Sequence, residues 1–215
     1  MFPPRPYGSA DMLRQFAIAA AATVMFGTSS ARAAKYDELR IPCGAGELTT
    51  LQTAVANAIK LAKAASSSLP PVNSTGGARF RRWFGGPDGD YDPTPKTIYD
   101  GMVVTLVFQK FWCLPPNSNT PDDLFHTNAF ILKGAIGEIF VTSNFFALSP
   151  TGAKSQGGTI LHEASHQSQV RRTTDDDKLY GPAAAASRAA ASATRARNTA
   201  DNYKYYAEDV LYGVP

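Results

Sequence analysis

Along the chain, apolar positions first fall into order between Glu47 and Ala65, where Leu51, Val55, Ala58, Ile59 and Ala62 recur at spacings of three and four. That period places them on one face of an α-helix. The run SSSLPPVNSTGG, with its serines, prolines and glycines, ends the pattern. In ARFRRWFGGPDGDYDPTPK the apolar residues are aromatic, and Phe80, Trp83 and Phe84 are expected to pack onto a core before the segment turns into a loop. From Ile98 to Leu114 the stretch is rich in valine and aromatics and reads as β structure. AFILKG and EIFVTS are short apolar runs separated by Gly134 to Gly137, a pattern that suits a hairpin or an irregular edge pair. Helical spacing returns from Gly158 to Val170, after glycines read as the end of a loop. The alanine-rich segment after Pro182 predicts one long helix or two consecutive ones, with Tyr203, Tyr205, Tyr206, Val210 and Leu211 as its buried end. Helix, β segment and further helices in that order predict an α+β domain.

The N-terminus is read apart from the fold. Arg14 precedes an apolar run from Phe16 to Gly27, and Ala31-Arg32-Ala33 follows. A basic start, a short apolar core and a small-x-small signal predict a signal peptide over residues 1–33, a mature domain over 34–215, and a secreted or periplasmic protein. The apolar run is shorter than the ~20 residues a bilayer span requires, so no membrane association is expected after removal of the leader. Removal also changes the charge, because the formal +3 of the whole chain includes Arg5, Arg14 and Arg32 against Asp11. What remains is 18 basic against 17 acidic residues, a net charge of +1. A nearly neutral protein carries no electrostatic signature of a nucleic-acid partner. Cys43 and Cys113, the two cysteines, suit one disulfide in an exported chain.

The candidate chemistry lies in GGTILHEASHQSQVRRTTDDDKLYG, from Gly157 to Gly181. His162 and His166 are four residues apart, so on a helix both imidazoles leave one face and can share a metal ion. Glu163 is rotated by one residue and suits the general base that takes a proton from an attacking water. The His-Glu-x-x-His arrangement is that of zinc peptidases. A catalytic zinc needs a third protein ligand and an open position. The only other histidine, His126, lies upstream and no cysteine follows the motif, so the third ligand is expected to be a downstream carboxylate. Asp175, Asp176, Asp177, Asp201, Glu208 and Asp209 are the candidates.

HEASH followed by TTDDDKLYG resembles the aspzincins, the deuterolysin and peptidyl-Lys metalloendopeptidase family, whose signature continues with G-T-x-x-D-x-x-Y-G. The resemblance implies that Asp177 is the third ligand of one zinc ion per chain and that Tyr180 hydrogen-bonds the oxyanion. Thr173 stands where that family has glycine, which leaves Asp175 and Asp176 as alternatives. CGAGELTTLQTAVANAIKLA, RFRRWFG, Phe145-Phe146 and NTADNYKYYAED are similar to further family landmarks. They imply a zincin-like fold with a small mixed sheet, the active-site helix and C-terminal helices. An edge strand, for which GEIFVTS is the candidate, would hold an extended peptide substrate. The resemblance also implies a monomeric endopeptidase, and it makes Asp201 a substrate-binding carboxylate favouring lysine on the amine side of the cut. Lys204 stands where a second acid would reinforce that preference. Two other readings are a zincin with Glu208 as third ligand and a non-catalytic secreted toxin or binding module on the same scaffold.

Overall fold

A computed structural model describes residues 37–70, 77–86, 94–115, 127–132, 135–167, 170, 173–175 and 179–213. The expected leader, His126, Asp176 and Asp177 lie outside the described residues. Helix α1 (Ala45–Ser68) follows the expected apolar stripe and extends it at both ends. It buries Leu51, Ala54, Ala58, Leu61, Ala62 and Ala65. Its first turn is closed by the Glu47 carboxylate, which accepts the Gly44 N–H at 2.7 Å. Helix α2 (Ala78–Phe84) carries the aromatic cluster, with Trp83 and Phe84 fully buried.

The segment read as β from Ile98 divides differently. Thr94–Thr105 is a helix, α3, followed by a 3-10 turn at Leu106–Phe108, and only Lys110–Cys113 forms a strand, β1. Burial explains the correction. Ile98, Tyr99, Met102 and Leu106 are buried at helical spacing, whereas Val104, Val107 and Phe108 are exposed. The valines that suggested a strand lie largely on the outer side, and packing overrides their propensity.

Strand β1 pairs in parallel with β3 (Glu138–Val141), which pairs antiparallel with β2 (Ala129–Phe130). The order is β1-β3-β2. EIFV therefore occupies the middle of the sheet, and the expectation that GEIFVTS is the edge strand is corrected: β2 is the edge beside the site. Ile139, Phe140 and Val141 are wholly buried, as a central strand covered on both faces requires. The Cys43–Cys113 disulfide is formed and ties the entry of α1 to the end of β1.

After the short helix α4 (Ser143–Phe146) comes α5 (Gln156–Ser165), all ten of whose residues are buried. The alanine-rich region forms three helices rather than one or two: α6 (Pro182–Ala191), α7 (Ala193–Arg197) and α8 (Ala200–Tyr212). The break falls at Ser192, whose extended backbone and hydroxyl cap α7 by accepting the Arg195 N–H. Helix α8 is polar in sequence yet buried from Ala200 to Asp209. Several of its polar groups are matched in turn. Asp209 accepts the Trp83 indole N–H at 2.8 Å, and Asn202 donates to the carbonyls of Trp83 (2.6 Å) and Ala185 (2.9 Å). Helices α1, α5 and α8 pack on one another, and α5 also lies against β2. No described helix is long and apolar enough to cross a membrane.

Candidate metal centre

Helix α5 begins at Ser155, whose hydroxyl accepts the Gly158 N–H at 3.0 Å. Gly157 and Gly158 lie inside its first turn, not in the loop expected for them. They are small because neighbours press close: a Cβ at Gly157 would meet Asn57 Cβ of α1 at 2.8 Å, and one at Gly158 would meet Glu208 Oε1 at 2.0 Å. Glu208 is wholly buried and accepts from the backbone N–H groups of Lys154 (3.2 Å) and Ser155 (3.3 Å) and from the Ser155 hydroxyl (3.2 Å). It therefore serves the N-terminus of α5, where a helix end leaves N–H groups unpaired and favours negative charge. It does not join the histidine cluster, which removes the reading of Glu208 as a metal ligand.

His162 lies near the other end of α5, and His166 is its C-cap residue. Each is 8% exposed, enough only for their tips to reach the cavity. Their orientations are set from behind. His162 Nδ1 donates to Asp201 Oδ1 at 2.9 Å, and His166 Nδ1 donates to the Thr173 carbonyl at 2.9 Å. With Nδ1 protonated, Nε2 of each ring keeps its lone pair for a metal. His166 Nε2 is buried and has no hydrogen-bond partner among the described residues.

The segment after the helix is threaded between two elements. Thr173 N–H donates to Ser165 O (2.9 Å), Thr174 N–H to Asn198 O (2.7 Å), and Ala200 N–H to Thr174 O (3.1 Å). This bridge delivers Asp175 between the rings, with Oδ1 3.2 Å from His162 Nε2 and Oδ2 3.4 Å from His166 Nε2. One atom from each of the three residues can be chosen so that all lie within 4.8 Å of one another. Two imidazoles and a carboxylate converging on one point, with a buried lone pair left unpartnered, fit a tetrahedral zinc ion with an open fourth position. Among the described residues the carboxylate at this point is Asp175, whereas the family resemblance favoured Asp177.

Charge follows geometry. Burial raises the Asp175 pKa, but the two imidazoles beside it outweigh this and hold the carboxyl well below the usual range. Burial lowers the His162 pKa, and Asp175 and Asp201 more than reverse this, taking it to about 10 in the absence of a metal. Glu163 lies in the same cavity, makes no side-chain hydrogen bond to a described residue, and is pushed above the ordinary carboxyl value by burial. An unpaired carboxylate with a raised pKa beside a metal position suits a general base. Tyr180 is half-exposed at the mouth, its ring centroid 6.4 Å from that of His162, and burial together with Asp175 raises its phenol to about 12. The next residue, Gly181, has φ +105°, and its N–H donates to Asp201 Oδ2 at 2.8 Å. That conformation favours glycine and accounts for the Tyr-Gly pair.

The cavity measures about 850 Å³. The edge strand β2 with Asn128 and Ile131 forms one wall, while Asp201, Lys204 and Tyr205 of α8 form another. Asp201, expected to be a substrate-binding carboxylate, lines the cavity and accepts from His162 and Gly181, one at each oxygen. Sequence reasoning missed the Thr173 carbonyl, since a backbone acceptor leaves no trace in residue type, and missed the closeness signalled by Gly157-Gly158.

A metal-binding helix bearing His-Glu-x-x-His, roofed by a small mixed sheet, defines a zincin-type peptidase fold. The sequence profile of the aspzincin family, described as lysine-specific metallo-endopeptidase, matches residues 71–208, and the chain belongs to that family. It is similar to the peptidyl-Lys metalloendopeptidase of Armillaria mellea, 29% identical over 168 residues, covering 78% of this chain and 45% of that one. It is also similar to an extracellular protease of Aeromonas hydrophila, 30% identical over 144 residues, covering 67% and 39% respectively. The chain thus spans less than half the length of these two relatives. A zinc peptidase from Grifola frondosa superposes with a TM-score of 0.65 at 27% identity, covering 78% of this chain and 97% of that one.

Proposed function

We propose that the chain is a secreted zinc-dependent endopeptidase that acts on unfolded protein. The observation that carries this is the pair of histidines fixed from behind, with both Nε2 atoms and an aspartate converging beside Glu163, which no described residue engages by hydrogen bond. His162, His166 and one aspartate, Asp175 in the structure or Asp177 by family resemblance, would hold one zinc ion. Zinc bound there would polarise the scissile carbonyl and acidify the attacking water. Glu163 takes the proton of that water and delivers it to the leaving amine. The Tyr180 phenol, protonated at neutral pH, donates to the oxygen that gains negative charge. The edge of β2 offers backbone groups to an extended substrate. Secretion is supported by the leader-like sequence at 1–33, the disulfide and the extracellular Aeromonas relative. Lysine specificity belongs to the names of the family and of relatives, and Asp201, which lines the cavity and accepts one hydrogen bond at each oxygen, is the carboxylate that would carry it here.

The test uses the chain from residue 34, reconstituted with zinc. One zinc per chain by metal analysis, casein hydrolysis and its loss on chelation are expected. Glu163→Gln should retain zinc and lose turnover by at least ~10²-fold, the scale of a positioned general base. Absence of bound zinc, or full turnover in Glu163→Gln, would overturn the reading.

A further inference from the structure

Tyr180 has a part in the mechanism above but little packing to hold it there. It is 58% exposed and Leu179 before it is 62% exposed, so burial of these side chains does not fix the segment. The backbone on either side of the phenol is fastened instead. On the C-terminal side the Gly181 N–H donates to Asp201 Oδ2 at 2.8 Å. On the N-terminal side the Leu179 carbonyl accepts from Arg188 Nη2 at 2.9 Å. Arg188 belongs to α6 and is buried. Its Nη1 donates to Asn202 Oδ1 at 3.1 Å. Asn202 is wholly buried and is itself fixed by its bonds to the Trp83 and Ala185 carbonyls. Two consecutive residues of α8 thus hold the two flanks of Tyr180, Asp201 directly and Asn202 through the Arg188 guanidinium. A guanidinium is planar and presents its donors in a rigid fork, so seating one nitrogen on Asn202 sets where the other can hold Leu179. Burying a guanidinium is costly, and the Leu179 end of this contact secures an exposed segment rather than the core.

We infer that Arg188 is a positioning residue that keeps the Tyr180 phenol at the cavity. This rests on the peptidase reading, in which that phenol donates to the oxygen that gains negative charge. Such a donor acts only when it is already in place, and a displacement of about 1 Å can cost on the order of 10²-fold in rate. Arg188 is not among the described residues that line the cavity, so it acts through Tyr180 rather than on the substrate.

The experiment uses Arg188→Met, which removes both donors at similar length. In the zinc-loaded protein kcat on a peptide substrate should fall by roughly tenfold or more while KM stays within about twofold, the pattern of an interaction made only in the transition state. Bound zinc should be unchanged. In a Tyr180→Phe background the same substitution should change kcat by less than about twofold, because the group it positions is gone. In the metal-free protein, amide hydrogen exchange of residues 179–181 should quicken by roughly tenfold while that of α5 is unchanged. If Arg188→Met does not fold, Arg188→Lys, which keeps the charge without the fork, carries the same expectations. Equal losses in both backgrounds, or an unchanged kcat, assign Arg188 to the fold alone and overturn the inference, as does failure of both variants to fold. Full turnover in Tyr180→Phe removes the phenol from the mechanism and overturns the inference while leaving the zinc peptidase reading intact. Should the parent protein cleave nothing, the peptidase reading fails and hydrogen exchange decides the anchoring by itself: unchanged exchange at residues 179–181 refutes it.

Discussion

Gly158→Ala adds one methyl group at the point where α5 and α8 touch, and the outcome can be worked from three distances. The new Cβ would lie 2.0 Å from Glu208 Oε1, 2.9 Å from Glu208 Cδ and 3.3 Å from Lys204 Cε. The first two are far inside van der Waals contact, so the carboxylate must withdraw by more than an ångström. Its bonds from Lys154 N–H, Ser155 N–H and the Ser155 hydroxyl are already 3.2–3.3 Å long and cannot stretch with it. Hydrogen bonds to a charged group are worth ~1.5–3 kcal/mol each, and losing two at the weak end costs ~3 kcal/mol. Replacing glycine by alanine inside a helix returns ~1 kcal/mol. A net loss of about 2 kcal/mol is expected, rising if the whole capping set is lost. Urea denaturation of the metal-free protein with its disulfide intact measures it. In a Glu208→Ala background the clash is absent, and the same substitution should be neutral or stabilising. The coupling between the two positions should then reach ~2 kcal/mol. A Gly158→Ala protein within 0.5 kcal/mol of its parent, or an equal cost in both backgrounds, would refute the reasoning.

Asp201→Asn removes the charged acceptor of the His162 Nδ1 proton while keeping its shape, and zinc affinity should fall by ~10–100-fold in a competition titration with a chromophoric chelator. Asp175→Ala should abolish stoichiometric zinc by metal analysis while Asp177→Ala retains it; the opposite result assigns the ligand to Asp177. Replacing Cys43 and Cys113 by alanine opens a loop of 70 residues and should cost up to roughly 4 kcal/mol in chemical denaturation, the chain-entropy ceiling for that length.

Much of the fold was legible where burial and propensity agree. Helix α1 shows this in Leu51, Ala58 and Ala62, whose spacing and side chains both favour a helix. They disagree in α3. There Val103, Val104 and Thr105 suggest a strand, while the pairings that decide the matter, such as Gly101 against Val170, are tertiary. Strand order is likewise a property of the assembled sheet, so nothing in EIFV distinguishes a central strand from an edge. At the site, the spacing of His162 and His166 was enough to identify a shared face, because helix geometry alone fixes it. The carboxylate beside the histidines was harder. Three consecutive aspartates are equivalent in composition, and what brings Asp175 to the rings is the backbone bridge of Thr174 to Thr199, a contact across 25 residues.

The polar sequence of α8 has a physical reason in its pairing with α5. Ser155 and His162 are seven residues apart, about two helical turns, and so are Asp201 and Glu208. The pairs match in reverse: Ser155 meets Glu208 and His162 meets Asp201. Two antiparallel helices are thus pinned by carboxylates at both ends of a two-turn stretch. One carboxylate answers the unpaired N–H groups where α5 begins, and the other fixes a metal-facing imidazole where it ends. Lys204 falls between them, one turn from each, and its ammonium offsets part of the repulsion between two buried negative charges. A one-residue shift of either helix would separate both carboxylates from their partners at once. The glycine at 158 lets the helices approach closely enough for this register to hold. The orientation of His162 is therefore set by α8 as much as by the motif in which it stands.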